Sequence, residues 1–306
     1  MRANGFGRGL LPGAIGLVIG MAIASGRLLQ ADPPASPQVP SAGDGPPKAV
    51  ETYFSTVPAD RGLDSNLFVQ TSAEYRACCY QAFRQASGAL DEGIRARKPG
   101  DRPPAVVLDL DETVFDNAGF QAMLVRSGLT YDRRLWRDWQ RNLAGRLALV
   151  PGARDFIRRA KAAGVAVAYV GNTRDEHREG VKAALAGFEI PVEADDLLLL
   201  RVEGVPDPDD KTARRASVTS RYDVLVLVGD NLRDFDDAFA FKPAPNLKTP
   251  PEDLDAAILA RKRAVDDRRD EFGRRFILLP NPVYGEWMKP LNRGEHDEDR
   301  LVTPKP

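Results

Sequence analysis

Ala105-Val106-Val107-Leu108-Asp109-Leu110-Asp111-Glu112-Thr113 decides the fold. An unbroken apolar run, rich in β-branched residues and ending abruptly in acidic ones, reads as a strand covered on both faces rather than one half open to water. The same pattern recurs downstream, with strands expected at Val165–Val170, Leu197–Leu200, Val224–Val228 and Arg275–Leu279. Amphipathic stretches at Ala153–Ala163, Asp175–Ala186, Lys211–Ser220 and Glu252–Phe272 separate them and predict helices. Strands alternating with helices mean an α/β fold: a doubly wound, mostly parallel sheet with helices on both faces. Ligands of such sheets bind beyond the carboxyl ends of the strands. The interval of approximately 115–150 breaks the alternation, carries Trp136 and Trp139, and is long for a crossover, so a small helical cap is expected there.

Upstream, Thr71-Ser72-Ala73-Glu74 reads as a capping box that opens an N-terminal helix. Tyr75, Cys79, Ala82, Ala86 and Leu90 follow at steps of three and four, which makes Cys79 core filling rather than a reactive thiol. Arg2 and Arg8 precede an apolar run from Leu10 to Ala24 that closes on small residues. Residues 1–31 therefore read as a signal peptide cut after Ala24 or Ala31, or as a membrane anchor, and place the folded part outside the cytoplasm, in the periplasm or cell envelope. Residues 32–50 form a Pro-rich linker with too little apolar content to order itself, 51–290 the folded domain, and 291–306 a polar tail.

The chain sets 43 Lys plus Arg against 44 Asp plus Glu, a net charge of −1, which leaves no excess for gripping a nucleic-acid backbone. With 43% hydrophobic and 28% charged residues, neither a disordered chain nor a polytopic membrane protein fits. Cys78, Cys79, His177 and His296 are too few and too scattered for a disulfide scaffold or a zinc knuckle. His177, inside Asp175-Glu176-His177-Arg178-Glu179, reads as a solvated residue.

The chemistry gathers at two predicted strand tips. Asp109 and Asp111 follow the first strand, and Gly229-Asp230-Asn231-Leu232-Arg233-Asp234 follows the fourth. A parallel sheet brings these tips together, and several carboxylates in one cleft raise each other's pKa unless a cation compensates them. Hard oxygen donors with room left for phosphate oxygens favour Mg²⁺ over an enclosed Ca²⁺ cage.

These motifs, with Lys211 between them, resemble the haloacid dehalogenase (HAD) superfamily. Ser72-Ala73-Glu74-Tyr75-Arg76, Asp116-Asn117, Leu279-Pro280-Asn281 and Tyr284-Gly285-Glu286-Trp287 narrow the resemblance to class C bacterial acid phosphatases, the lipoprotein e type of 5'-nucleotidase, over roughly Asn66 to Trp287. The resemblance implies a Mg²⁺-dependent phosphomonoesterase acting on small substrates such as nucleoside monophosphates. Asp109 would be the nucleophile forming an aspartyl-phosphate and Asp111 the acid and base, which implies an acidic pH preference. The metal would be held by Asp109, the Asp111 main-chain carbonyl and Asp230, with Asp234 in support. Lys211 would neutralise Asp109 and a phosphoryl oxygen, with Asn172 and Thr173 as further phosphate contacts. Trp136, Trp139, Tyr284 and Trp287 would line the entrance. The sequence departs from the family where a Ser or Thr follows the second strand, because Gly171 stands there. That departure motivates an alternative, a catalytically impaired envelope protein of the same fold that binds nucleotide or phosphate.

Overall fold

The structure, a computed structural model, describes residues 62–291 apart from 142, 144, 203, 205–206, 208, 243 and 246–247. The expected signal or anchor, the linker and all but the first residue of the tail lie outside the described residues.

Five parallel strands form the central sheet in the order β5-β4-β1-β6-β7: β1 (Pro104–Leu108), β4 (Ala166–Arg174), β5 (Leu198–Arg201), β6 (Asp223–Gly229) and β7 (Phe276–Leu278). The unbroken apolar run of β1 now has its reason. Val106 and Leu108 point into one core with Leu90, Phe156, Tyr169 and Ile277, whereas Ala105 and Val107 point into the other with Val170, Val218 and Phe239. Successive residues face opposite sides of a sheet, so a strand buried on both has no place for polar side chains.

The first core is closed by α2 (Ala73–Ala96) and α5 (Ala153–Ala162), the second by α7 (Thr212–Thr219) and α8 (Pro251–Asp267). On α2 the expected stripe of Tyr75, Cys79, Ala82, Ala86 and Leu90 is buried, and Cys79 is indeed core filling. Its cap differs from expectation. Thr71 is claimed by a preceding helix, α1 (Leu63–Thr71), where its hydroxyl donates to the Leu67 carbonyl at 2.7 Å. Ser72, in extended conformation, is the N-cap instead and accepts the Tyr75 amide at 3.0 Å.

The segment between β1 and α5 forms the cap. A short antiparallel ribbon of β2 (Phe115–Asp116) and β3 (Ala148–Leu149) sets its base, and α3 (Ala118–Arg126) and α4 (Arg133–Arg141) build upon it. Three boundaries moved. Helix α8 ends at Asp267, short of the expected Phe272, and Arg269–Glu271 forms a 3-10 turn. Asp175–His177 is a 3-10 turn, so α6 (Arg178–Gly187) starts later than the periodicity predicts. Strand β4 runs on through Gly171-Asn172-Thr173-Arg174, where Arg174 pairs with Arg201 at the tip of β5.

Candidate active site

Main-chain pairing carries β1 one residue past its tip, because the Asp109 amide donates to the Val228 carbonyl at 3.0 Å. The chain then turns back on the Leu110 carbonyl, which accepts the amides of Val114 and Phe115, both at 2.8 Å. Glu112 occupies the left-handed region at φ 56 to make this turn, a conformation uncommon for a residue with a side chain. Asp109 and Asp111 are thereby presented to a cleft of about 630 Å³ at the carboxyl ends of the strands, shared with Lys211, Asp230 and Asp234.

From the neighbouring tip, Asp234 folds back beneath Gly229, and its Oδ2 accepts the Asn231 amide at 2.9 Å. Its Oδ1 accepts Lys211 Nζ at 2.7 Å, and the same ammonium donates to Asp109 Oδ1. Asp230 is held by Asn281 Nδ2 at 2.8 Å and by the Thr113 hydroxyl at 3.3 Å. Carboxylate oxygens of Asp109, Asp230 and Asp234 all lie within 4.8 Å of one another.

The electrostatics follow from that crowding. Burial pushes the Asp109 carboxyl well above its ordinary range; Lys211 opposes the shift, while Asp234, Asp230 and Asp111 add to it. Burial and Asp234 push Asp230 up to about 7 against the hydrogen bond from Asn281. Lys211 is only 3% exposed, and burial would lower its ammonium, yet Asp109 and Asp234 outweigh that and hold it above its usual value. One ammonium among so many carboxylates leaves a negative surplus that a hard divalent cation relieves, and three convergent carboxylates fit such an ion.

Asp111 is held apart from this trio. Its Oδ1 accepts Asn117 Nδ2 at 2.9 Å, and its Oδ2 accepts the Thr173 hydroxyl at 3.3 Å. Each of those partners is fixed in turn by the cap helix. Trp139 Nε1 donates to Asn117 Oδ1 at 2.9 Å, and Gln140 Nε2 donates to Thr173 Oγ1 at 3.0 Å. Adjacent residues of α4 therefore grip the two oxygens of Asp111 through one intermediary each.

Several expected placements need correction. Trp136 and Tyr284 line the cleft, but Trp139 does not, because its ring is buried against Phe120 and its N–H is taken by Asn117. Trp287 is 40% exposed and lies off the cleft wall, with its N–H on the Asn281 carbonyl at 3.3 Å. Asn172 faces the cleft and accepts Arg214 Nη2 at 2.8 Å, whereas Thr173 is buried with its hydroxyl engaged by Asp111 and Gln140. His177 is buried rather than solvated, since the 3-10 turn after β4 directs it inward; burial lowers its pKa, and its Nε2 has no hydrogen-bond partner among the described residues.

Gly171 also changes meaning. A Cβ there would lie 2.7 Å from Leu110 Cδ1 and 3.2 Å from Leu110 Cγ, so a side chain at this position would run into the core and not toward the cleft. The missing hydroxyl is therefore not a missing phosphate contact, and the reason for expecting an impaired protein falls away. Sequence reasoning gave no roles to Asn117, Thr113, Gln140, Arg214 or Asn281. Asn117 and Asn281 stood inside motifs that carried the resemblance, which was the one signal available for them.

The family model described as HAD superfamily, subfamily IIIB (acid phosphatase) matches residues 48–287. Among solved structures, the class C acid phosphatase from Bacillus anthracis is similar, with a TM-score of 0.67 and 29% identity over 82% of this chain and 100% of that one. The same Bacillus anthracis phosphatase with tungstate bound superposes with a TM-score of 0.65 and 28% identity, over 81% of this chain and 99% of that chain. With a match across most of its length and the acidic strand tips in place, the chain belongs to the acid phosphatases of HAD subfamily IIIB and is a phosphoric monoester hydrolase.

Proposed function

We propose that the protein is a Mg²⁺-dependent acid phosphatase that hydrolyses 5'-mononucleotides and related phosphomonoesters through an aspartyl-phosphate on Asp109. The convergence of Asp109, Asp230 and Asp234 on Lys211, with Asp111 held separately, is the observation that carries this reading. Asp109, Asp230 and Asp234 would hold the cation, with the Asp111 carbonyl as a further donor. When bound, the ion offsets the repulsion between an anionic nucleophile and an anionic ester.

Lys211 opposes protonation of Asp109 and aims it, and a compact ammonium in that position also neutralises an incoming phosphoryl oxygen. Attack by the free Asp109 oxygen on phosphorus forms the acyl phosphate and expels the alcohol oxygen, which takes its proton from Asp111. Asp111 then removes a proton from the water that cleaves the acyl phosphate and restores Asp109. Asn117 and Thr173 keep the Asp111 oxygens in one orientation through both steps. Asn172, held by Arg214, faces the phosphoryl position, and Trp136 and Tyr284 offer flat apolar surface to the leaving group.

The basic, apolar and small segments of residues 1–31 support action outside the cytoplasmic membrane, on small phosphate esters in the periplasm or envelope. The test is hydrolysis of p-nitrophenyl phosphate and adenosine 5'-monophosphate by the full chain with Mg²⁺, its loss in EDTA, and rapid-quench capture of labelled phosphate on the protein. Asp109→Asn should be inert and capture none; equal turnover by that variant and the parent would overturn the assignment.

A further inference from the structure

The acidic cluster occupies the tips of β1 and β6, and the other side of the cleft is basic. Arg174 and Arg201 are register partners at the carboxyl ends of β4 and β5, and both line the cleft. Helix α4 presents Arg133, Trp136, Arg137 and Gln140 to the same space, the i, i+3, i+4, i+7 stripe of a single helix face. Four guanidinium groups from three elements thus line one cleft. Arg137 and Arg174 both act on His177, and Arg133 and Arg201 both act on Tyr131, so each of these α4 arginines lies near one strand-tip arginine.

Three other cations that line the cleft serve carboxylates. Lys211 bonds Asp109 and Asp234, Arg233 bonds Asp207 and Asp237, and Lys289 lies 2.7 Å from Glu286. Arg174 has Glu176 at 3.7 Å. Arg133 and Arg137 have no carboxylate partner among the described residues, and Arg137 Nε is buried with no hydrogen-bond acceptor among them. A buried guanidinium donor without an acceptor is costly unless a ligand supplies one.

Strands β4 and β5 lie on one side of β1 in the sheet, and their carboxyl ends open on the same cleft as Asp109. A cleft of about 630 Å³ has room for a ligand of nucleotide size. Planar forked donors match phosphate oxygens.

We propose that Arg133, Arg137, Arg174 and Arg201 bind a second phosphate in this cleft, so that the preferred substrates are bisphosphates, such as nucleoside 3',5'-bisphosphates. This rests on the assignment of Asp109 as the group that attacks the other phosphate.

The test compares adenosine 3',5'-bisphosphate with adenosine 5'-monophosphate on the full-length protein. Release of the 5'-phosphate should proceed with the higher kcat/KM from the bisphosphate. Arg133→Gln with Arg137→Gln should erase that preference, lowering the ratio of the two kcat/KM values by about 10- to 100-fold, the range of one or two charge-assisted hydrogen bonds. Arg137→Lys, which keeps the charge and loses the fork, should fall between. Calorimetric binding to the Asp109→Asn protein supplies a readout without turnover, and there too the bisphosphate should bind more tightly, with the arginine variants removing the difference. Equal losses on both substrates would show that the arginines serve the scissile phosphate and overturn the inference, as would a parent protein without preference. A fully active Asp109→Asn would instead defeat the underlying mechanism, and the kcat/KM ratio of the two substrates in the parent and the arginine variants would still decide this one.

Discussion

Replacing Gly171 by Ser supplies the hydroxyl that the family resemblance implies after β4 begins, and the structure predicts that this change does harm. A new Cβ would stand 2.7 Å from Leu110 Cδ1, 3.2 Å from Cγ and 3.3 Å from Cβ. Carbon atoms rest at about 3.5–4.0 Å, so the first contact overlaps by roughly 1 Å. Leu110 is fully buried between Asp109 and Asp111, so its side chain must rotate against packed neighbours to make room. Overpacking of this kind costs about 1–3 kcal/mol, offset by about 0.4–1 kcal/mol because alanine restricts the unfolded chain more than glycine does. Gly171→Ala should therefore be destabilised by roughly 1–2 kcal/mol. Gly171→Ser should lose more, because its hydroxyl enters an apolar site. Activity should fall with either, since a displacement of about 1 Å at a reacting group can cost on the order of 100-fold. The decisive assay is a double-mutant cycle by urea unfolding, with kcat on p-nitrophenyl phosphate measured in parallel. Leu110→Ala alone should cost about 2–5 kcal/mol, but in that background Gly171→Ala should cost almost nothing, a favourable coupling of about 1–2 kcal/mol. A Gly171→Ser protein as stable as the parent and faster, or a cycle with no coupling, would refute the reasoning.

Other consequences are equally open to measurement. Trp139→Phe keeps an aromatic ring and removes the N–H that fixes Asn117, so it should slow hydrolysis of esters with poor leaving groups, such as the nucleoside of a mononucleotide, several-fold more than that of p-nitrophenyl phosphate, whose leaving phenolate needs little protonation; a uniform effect would mean that Trp139 is only packing. Asn281→Ala frees Asp230 and should raise the Mg²⁺ concentration needed for half-maximal activity by about 10-fold or more, whereas an unchanged titration would remove Asn281 from the metal site's support. Lys211→Met strands two buried carboxylates, and urea unfolding near neutral pH should show a loss of about 3–5 kcal/mol in metal-free protein; a loss under 1 kcal/mol would contradict the buried pairing. His177 is a base whose folded pKa lies below its ordinary 6.5, so the unfolded chain binds the extra proton first. Its contribution should be complete above about 6.5 and decline as pH falls toward the folded value; stability of the parent relative to His177→Phe should accordingly drop from pH 8 to 5, and a difference independent of pH would exclude a buried neutral imidazole.

Local chemistry made much of this protein legible in one dimension. The strands were readable because burial on two faces forces consecutive apolar residues, and Ala105–Leu108 has no alternative use in water. The acidic cluster was readable because each half sits directly after a strand, where topology sends all parallel tips to one edge. Cys79 was readable as core because its helical spacing matched its neighbours. Other features depended on contacts that no spacing encodes. Trp139 reads as an entrance aromatic until Asn117, 22 residues away, is seen to take its N–H, and Gln140 reaches Thr173 across 33 residues. Gly171 reads as a lost hydroxyl until the extension of β4 turns its missing side chain toward Leu110. His177 sits in a charged run and is buried all the same, and the pairing of Arg174 with Arg201 exists only in the register of two strands. Periodicity reports which face of an element meets the core, because burial acts on each residue separately. Which side chain meets which depends on distances between elements, and only the packed chain sets those.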